Sequence, residues 1–384
     1  MKNIFYVTCF SFLLSLSTPA VSLTVSNRAA LLDAVGSQVQ TIEIQGSIKN
    51  LDSFTLKPGQ ALIGIGHAKL TFNINQDGLR LSKNNTIKNI SIIVEPTKKA
   101  ISNVTTHASL GNIYLDHLTV TGQIQFLAKD AVQDANIDVR HVVITQFDSR
   151  FSSTISKYGI QAFQGAMTIW NQQHNPNSKM NVAIQGLTVG AVRAPSQSSG
   201  LFLAGTIQGG QVHAVSIKTD RIVIRGIDKK RDKLLASGIF NLNNSTIDTL
   251  DINQPIMTQD DYALGFDNWG NIQSFRLNET IETTGKNSNA MVNLGNISTA
   301  IIDAPIFTKG LGARGFSNYG VIHKATINKN ITTYGNGAIG LQNLGSIKHL
   351  VISGIIRTHG GQAKVLQLGK FKLLNADAIE FVSH

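Results

Sequence analysis

Residues 313–337 read ARGFSNYGVIHKATINKNITTYGNG, and the same grammar returns in ALGFDNWGNIQSFRLNETIETTGKN at 263–287 and AIGLQNLGSIKHLVISGIIRTHGGQ at 338–362, always in steps of 25. A repeat is real when fixed positions keep their chemistry. Ile247, Ile272, Ile297, Ile322 and Ile347 are all isoleucine, as are Ile256, Ile281, Ile306, Ile331 and Ile356. Thr258, Thr283, Thr308, Thr333 and Thr358 make a third constant column, and Ile252, Leu277, Ile302, Ile327 and Ile352 are branched throughout. Asn253, Asn278, Asp303, Asn328 and Ser353 stay polar, and Gly285, Gly310, Gly335 and Gly360 punctuate the copies. Asn268, Asn293, Asn318 and Asn343 each precede a bulky residue and then glycine.

Within a copy the apolar period is two. Leu250 and Ile252, Phe275 and Leu277, Ala325 and Ile327, and Leu350 and Ile352 point one way, with polar residues between them. Short β-branched strands broken by Asn, Asp and Gly turns fit three strands and three bends per copy. Stacked in parallel, each strand meets its equivalent about 4.8 Å away. The expected fold is all-β, a single-stranded right-handed parallel β-helix of roughly eleven to thirteen coils. Isoleucine fills the interior, glycine sits where no side chain fits, and asparagine turns the chain by tolerating left-handed backbone. Each threonine, two residues after a buried isoleucine, lines a turn. The outward columns share nothing: Asp248, Gln273, Ser298, His323 and Lys348 are unrelated, as are Met257, Glu282, Phe307, Thr332 and Arg357. The regular half therefore reads as scaffold.

The first residues read as an export leader: Lys2, an apolar run from Ile4 to Leu16, and a small-x-small site at Ala20-Val21-Ser22. Residues 1–22 are expected to be removed, and no transmembrane segment is expected after cleavage. The only cysteine, Cys9, lies in that leader, so disulfides and thiol chemistry are not expected. Without Lys2 the 33 basic residues face 23 acidic ones, a formal charge of +10 that suits an acidic polysaccharide or other surface polyanion. No dedicated nucleic-acid motif is present. The destination is secretion, the periplasm or the cell surface.

The organisation follows. Residues 23–384 form one domain, with an N-terminal cap at 23–45, irregular coils with loops at 46–235, regular coils at 236–361 and a closing cap at 362–384. Ser26 or Asn27 caps a short helix whose Ala30, Leu31 and Val35 face one way, a plug for the open end of the solenoid. In 127–235 the stretches NQQHNPNSKMN, VRAPSQSSG and DKKRDK interrupt the pattern, and loops on a rigid scaffold carry function. In RIVIRGIDKKRDK, Arg221, Val223 and Arg225 point outward if Ile222 and Ile224 point in, beside Lys229, Lys230 and Arg231. Such a basic ledge suits carboxylate, sulfate or phosphate groups on a polymer; a solvated charge run partly neutralised by Asp228 and Asp232 is the alternative.

The helix-then-strand entry, LIGIG, NNTIKNISI and above all NIYLDHLTV make residues 23–126 resemble pectate lyases and the wider pectin-lyase-like β-helix superfamily. The 25-residue copies are similar to autotransporter passengers, although no array of membrane-barrel strands follows them. The pectate-lyase resemblance implies elimination from an acidic polysaccharide, with calcium held by clustered carboxylates and an arginine as base. By position Asp116 matches the aspartate of the family's strand motif, with His117 beside it. Arg193 and Pro195 match part of the family's Arg-x-Pro-x-x-Arg pattern, but Ser198 stands in place of the final arginine, and acidic residues are scarce from 140 to 220. Asp116 and His117 read equally as a structural turn pair. For hydrolase chemistry, NQDG at 75–78 and Asp260-Asp261 are isolated. The leading expectation is an exported polysaccharide- or surface-binding protein without catalysis, cofactor or metal. A calcium-dependent lyase and a structural, adhesin-like envelope protein are the alternatives.

Overall fold

The computed structural model describes residues 22–152, 154–157, 160–226, 234–369 and 376–379. Lys229, Lys230 and Arg231, and residues 1–21, where a leader is expected, lie outside these residues. The chain winds as a parallel β-helix. In one regular coil Asn271–Leu277, Ile281–Thr283 and Met291–Asn293 supply three faces. They pair in parallel with Asn296–Ile302, Ile306–Thr308 and Arg314–Asn318 of the next coil. The register is the sequence period: Ile272 lies against Ile297, Ile281 against Ile306 and Asn293 against Asn318. Twelve third-face strands form one ladder, so at about 4.8 Å per coil the rod is roughly 50 Å long.

The core is the stacked interior. Ile247, Ile256, Ile281, Ile297, Ile306, Ile322 and Ile331 are all wholly buried, in one apolar cluster running from Val25 to Ile356. Each such side chain contributes about 1.5–3 kcal/mol by leaving water. The threonine column also points inward: Thr258 donates to the Ala263 carbonyl at 2.7 Å and Thr283 to that of Ser288 at 2.6 Å. In these two coils the hydroxyl thus closes the turn from inside, whereas the Thr308 and Thr333 hydroxyls are buried without a hydrogen-bond partner among the described residues. Glycine is required at the bends because successive coils touch there; a methyl at Gly310 would sit 1.6 Å from the Gly285 carbonyl oxygen.

The asparagine corner works differently from the sequence expectation. Positive φ is confined to other residues, such as Asn84, Asn89 and Asn244. Asn268, Asn293, Asn318 and Asn343 are instead buried strand-end residues whose amides bond coil to coil. Nδ2 of Asn241, Asn268, Asn293 and Asn318 donates to the next Oδ1 at 2.7, 2.7, 2.7 and 2.8 Å. An amide carries both a donor and an acceptor, so one residue type can extend such a ladder without end.

At the entry, Arg28–Gly36 is a helix capped by Asn27, whose Oδ1 accepts from the Ala30 amide at 3.0 Å. Leu31, Ala34 and Val35 are buried against the first coil, with Ala30 at the edge. Further along, first and second faces fuse, so that Ser109–Thr121, Asp134–Gln146, Lys179–Val189 and Gln211–Arg225 each bend round one corner as single strands. Between Asn136 and Asn181 the step lengthens to 45 residues. That step includes a hairpin, Thr154–Lys157 with Ile160–Phe163, which pairs with Leu234–Asn241 beside the third-face ladder.

Candidate functional site

The bend in those long strands builds the most chemically dense corner of the described surface. In three of those strands the corner residue has left-handed backbone, His117, His141 and Gly186 with φ of 52°, 49° and 79°, and Asn89 does the same at 57° on the coil before. Left-handed histidine is uncommon. Here it lifts two imidazoles out of the ladder so that their rings lie 4.5 Å apart, centroid to centroid. Both face one carboxylate: Asp116 Oδ1 lies 2.7 Å from His117 Nδ1 and 3.4 Å from His141 Nδ1, while Tyr114 donates to Oδ2 at 3.3 Å. Burial pushes the Asp116 carboxyl up, but the hydrogen bonds of His141, His117 and Tyr114 outweigh it and hold the pKa below the ordinary value. Burial, then the charge of Asp116, raises the Tyr114 phenol.

Gly186 continues the corner without a side chain. A methyl there would lie 3.2 Å from Asp220 Oδ2 and 3.4 Å from His141 Cδ2, so only that gap separates the imidazole pair from a further carboxylate. On the first face Lys88 Nζ stands 4.5 Å above the Tyr114 ring and the Arg140 guanidinium 5.4 Å from it. Arg140 is held by Asp138 at 2.8 Å, which raises its pKa further. Exposed amides run alongside, Asn136 donating to Asn112 at 3.0 Å and Asn181 to Asn136 at 2.9 Å. They border a groove of about 340 Å³ floored by Ile113, Ile137 and Val182. A second groove, of about 490 Å³, opens on the other side between His67, Lys69, Asn89, Ser91 and His117.

Of the residues singled out in the sequence, Asp116 and His117 therefore meet, and His141 joins them. Its signal was a spacing: His141 follows Asp116 by 25 residues. Arg193 is exposed on the turn between Gly190 and Ser196, which lies along the strand Gln211–Arg225. The Ser196 amide donates to the Val223 carbonyl at 3.0 Å and the Arg225 amide to the Ser196 carbonyl at 2.9 Å. That covering turn buries Val223 completely, against the expectation that it faces outward with Arg221 and Arg225. Arg221 is exposed, whereas Arg225 is engaged by Asp260 at 3.2 Å.

Ligand atoms of Asp116, His117 and His141 lie within 4.8 Å of one another. An imidazole that donates Nδ1–H to a carboxylate presents Nε2 as its lone pair. With both Nδ1 atoms on Asp116 the carboxylate orients the imidazoles as an outer partner, leaving two Nε2 atoms as nitrogen donors of the zinc type and far short of the six to eight oxygens that calcium takes. Among the described residues no helix is long and apolar enough to cross a membrane. Compared with known proteins, the chain matches no family model, no curated protein and no solved structure.

Proposed function

We propose that this is an exported β-helix that binds acidic polysaccharide along the corner centred on Tyr114, without cleaving it. One observation carries the reading: Lys88 and Arg140 flank the Tyr114 ring between two grooves that cross several coils. The ring holds the two cations in place, one from each neighbouring coil, and fixed cations suit carboxylates that recur along a polymer. The amide row from Asn112 to Asn181 adds hydrogen-bond donors and acceptors in the same direction. The excess of basic residues in the whole chain favours the encounter.

A pectin-lyase-like kinship, carried by residues 23–126, agrees with such a partner. The lyase reading is favoured by Asp116 alone, whose carboxylate stays ionised. Against it, that carboxylate is engaged by two imidazoles and a phenol, and Ser198, in place of the second arginine, is buried with its hydroxyl on the Ser199 carbonyl at 2.7 Å. The test is retention on immobilised polygalacturonate and alginate over a salt gradient. Wild type is retained and elutes with salt, and Lys88→Ala/Arg140→Ala elutes earlier. Equal elution of the two proteins removes the site. Ultraviolet absorbance that grows with time from either polymer, and stops in Asp116→Asn or Arg193→Ala, replaces binding with elimination. No retention on either polymer leaves the adhesin-like scaffold reading in its place.

A further inference from the structure

The outer side of the third face carries a row that the interior does not use. Phe202, Phe240 and Asp267 hold the same position in successive coils. The rings of Trp170, Phe202, Phe240 and Trp269 follow one another at 5.9, 6.4 and 6.4 Å. Where Asp267 takes its place the row opens into a cleft of about 490 Å³, walled by Leu235, Leu264, Val292 and Leu294 and by the rings of Trp269 and Tyr319. Asp267 lines this cleft while only 1 % exposed, and its Oδ1 has no hydrogen-bond partner among the described residues.

A carboxyl buried this deeply is normally paired with a cation or fully hydrogen-bonded, because an uncompensated charge there is costly. Burial pushes Asp267 up to about 8, with Trp269 drawing it down by less. No other described group enters that balance. The adjoining strands offer Phe240 and Val292, the cleft adds the Tyr319 phenol and the amides of Asn287 and Asn289, and Arg314 stands one coil beyond Asn289. The site thus has a deeply buried carboxyl with no cation beside it among the described residues, apolar walls and two aromatic rings.

We propose that this cleft binds a small organic cation, its ammonium on the Asp267 carboxylate and its apolar body against Trp269 and the surrounding aliphatic side chains. An ammonium beside the carboxyl favours its ionised form and gives it the counter-charge the site lacks, and aromatic rings accept a cation on their faces. A metal ion does not suit a site whose one carboxylate is joined only by two amides and a phenol among apolar walls. A neutral sugar supplies no such counter-charge.

The test titrates the full chain by calorimetry with phenethylammonium and with its neutral isostere 2-phenylethanol, from pH 6 to pH 9. At pH 9 the ammonium is expected to bind at least about tenfold more tightly than the alcohol, a gap set by the carboxylate. Below the carboxyl's own titration the ammonium's affinity is expected to fall by up to about tenfold per pH unit while the alcohol's stays level. Asp267→Asn should abolish the difference and keep the alcohol. Should that variant not fold, the pH dependence of wild type decides alone. Equal, pH-independent binding of the two compounds makes the cleft merely apolar and overturns the proposal, as does binding of neither.

Discussion

Single residues here are constrained by what lies one coil above and below them. Asn293 shows it best: its Oδ1 accepts from Asn268 and its Nδ2 donates to Asn318, all three buried. Asn293→Ala would strand a donor in one coil and an acceptor in the other. A loss of roughly 2–4 kcal/mol is expected, measured by chemical denaturation. Asp267 gives a second test, through pH. Its pKa is about 8 in the folded chain against an ordinary 3.8. From the lower value to the upper, the native state holds a proton that the unfolded state has released, so stability falls as pH rises through that window. The slope is at most about 1.4 kcal/mol per pH unit. Asp267→Asn should flatten it, and urea melts at pH 5 and pH 8 measure the difference. Little in the pattern of residues announces this one. An aspartate in an outward column reads as solvated, and only the outer aromatic row and the third-face cleft bury it.

Among the elements, the N-terminal helix has the most exposed duty, because it closes an end where backbone groups and core would otherwise meet water. Its seat is specific: Leu31 is fully buried and Asn27 caps the first turn. Leu31→Ala is expected to cost about 2–5 kcal/mol and Asn27→Ala about 1 kcal/mol, read by thermal melts. The helix was legible from an N-cap residue and an apolar spacing. The corner strands were only partly so. YLDH marked Asp116 and His117, but partnership with His141 depends on coil lengths, which vary from the 20 residues between Thr41 and Ala61 to the 45 that separate Asn136 and Asn181. The basic ledge failed at Val223 for a related reason: alternation states which way a strand residue points, not what another turn lays over it.

At the scale of the molecule, the regular coils are interchangeable units, and this has a testable form. Asn271 pairs with Asn296, and Asn296 with Val321, so deleting residues 296–320 joins Gly295 to Val321 in the same register. The shortened chain should fold and melt within roughly 5–10 °C of the parent. Deleting 296–308 alone puts isoleucines at bends and should prevent a cooperative melt. The regular half was the most readable part of the sequence because each column answers to one interior position. The front half, where loops interrupt the stacking, hides its contacts until the path of the chain is known.

Each outward side chain in these coils has a fixed neighbour one coil away, as Ser298 and Gln273 show: the serine hydroxyl donates to Gln273 Oε1 at 2.9 Å. Adjacent parallel strands hold such residues about 4.8 Å apart, a span that a disulfide can bridge. The chain's single native thiol is Cys9. Gln273→Cys with Ser298→Cys should therefore oxidise to a clasp between two rungs, seen as a mobility shift that a reductant reverses. The winding of the rod thus supplies its own ruled attachment lattice, on which staples, dyes or tethers can be set at chosen heights.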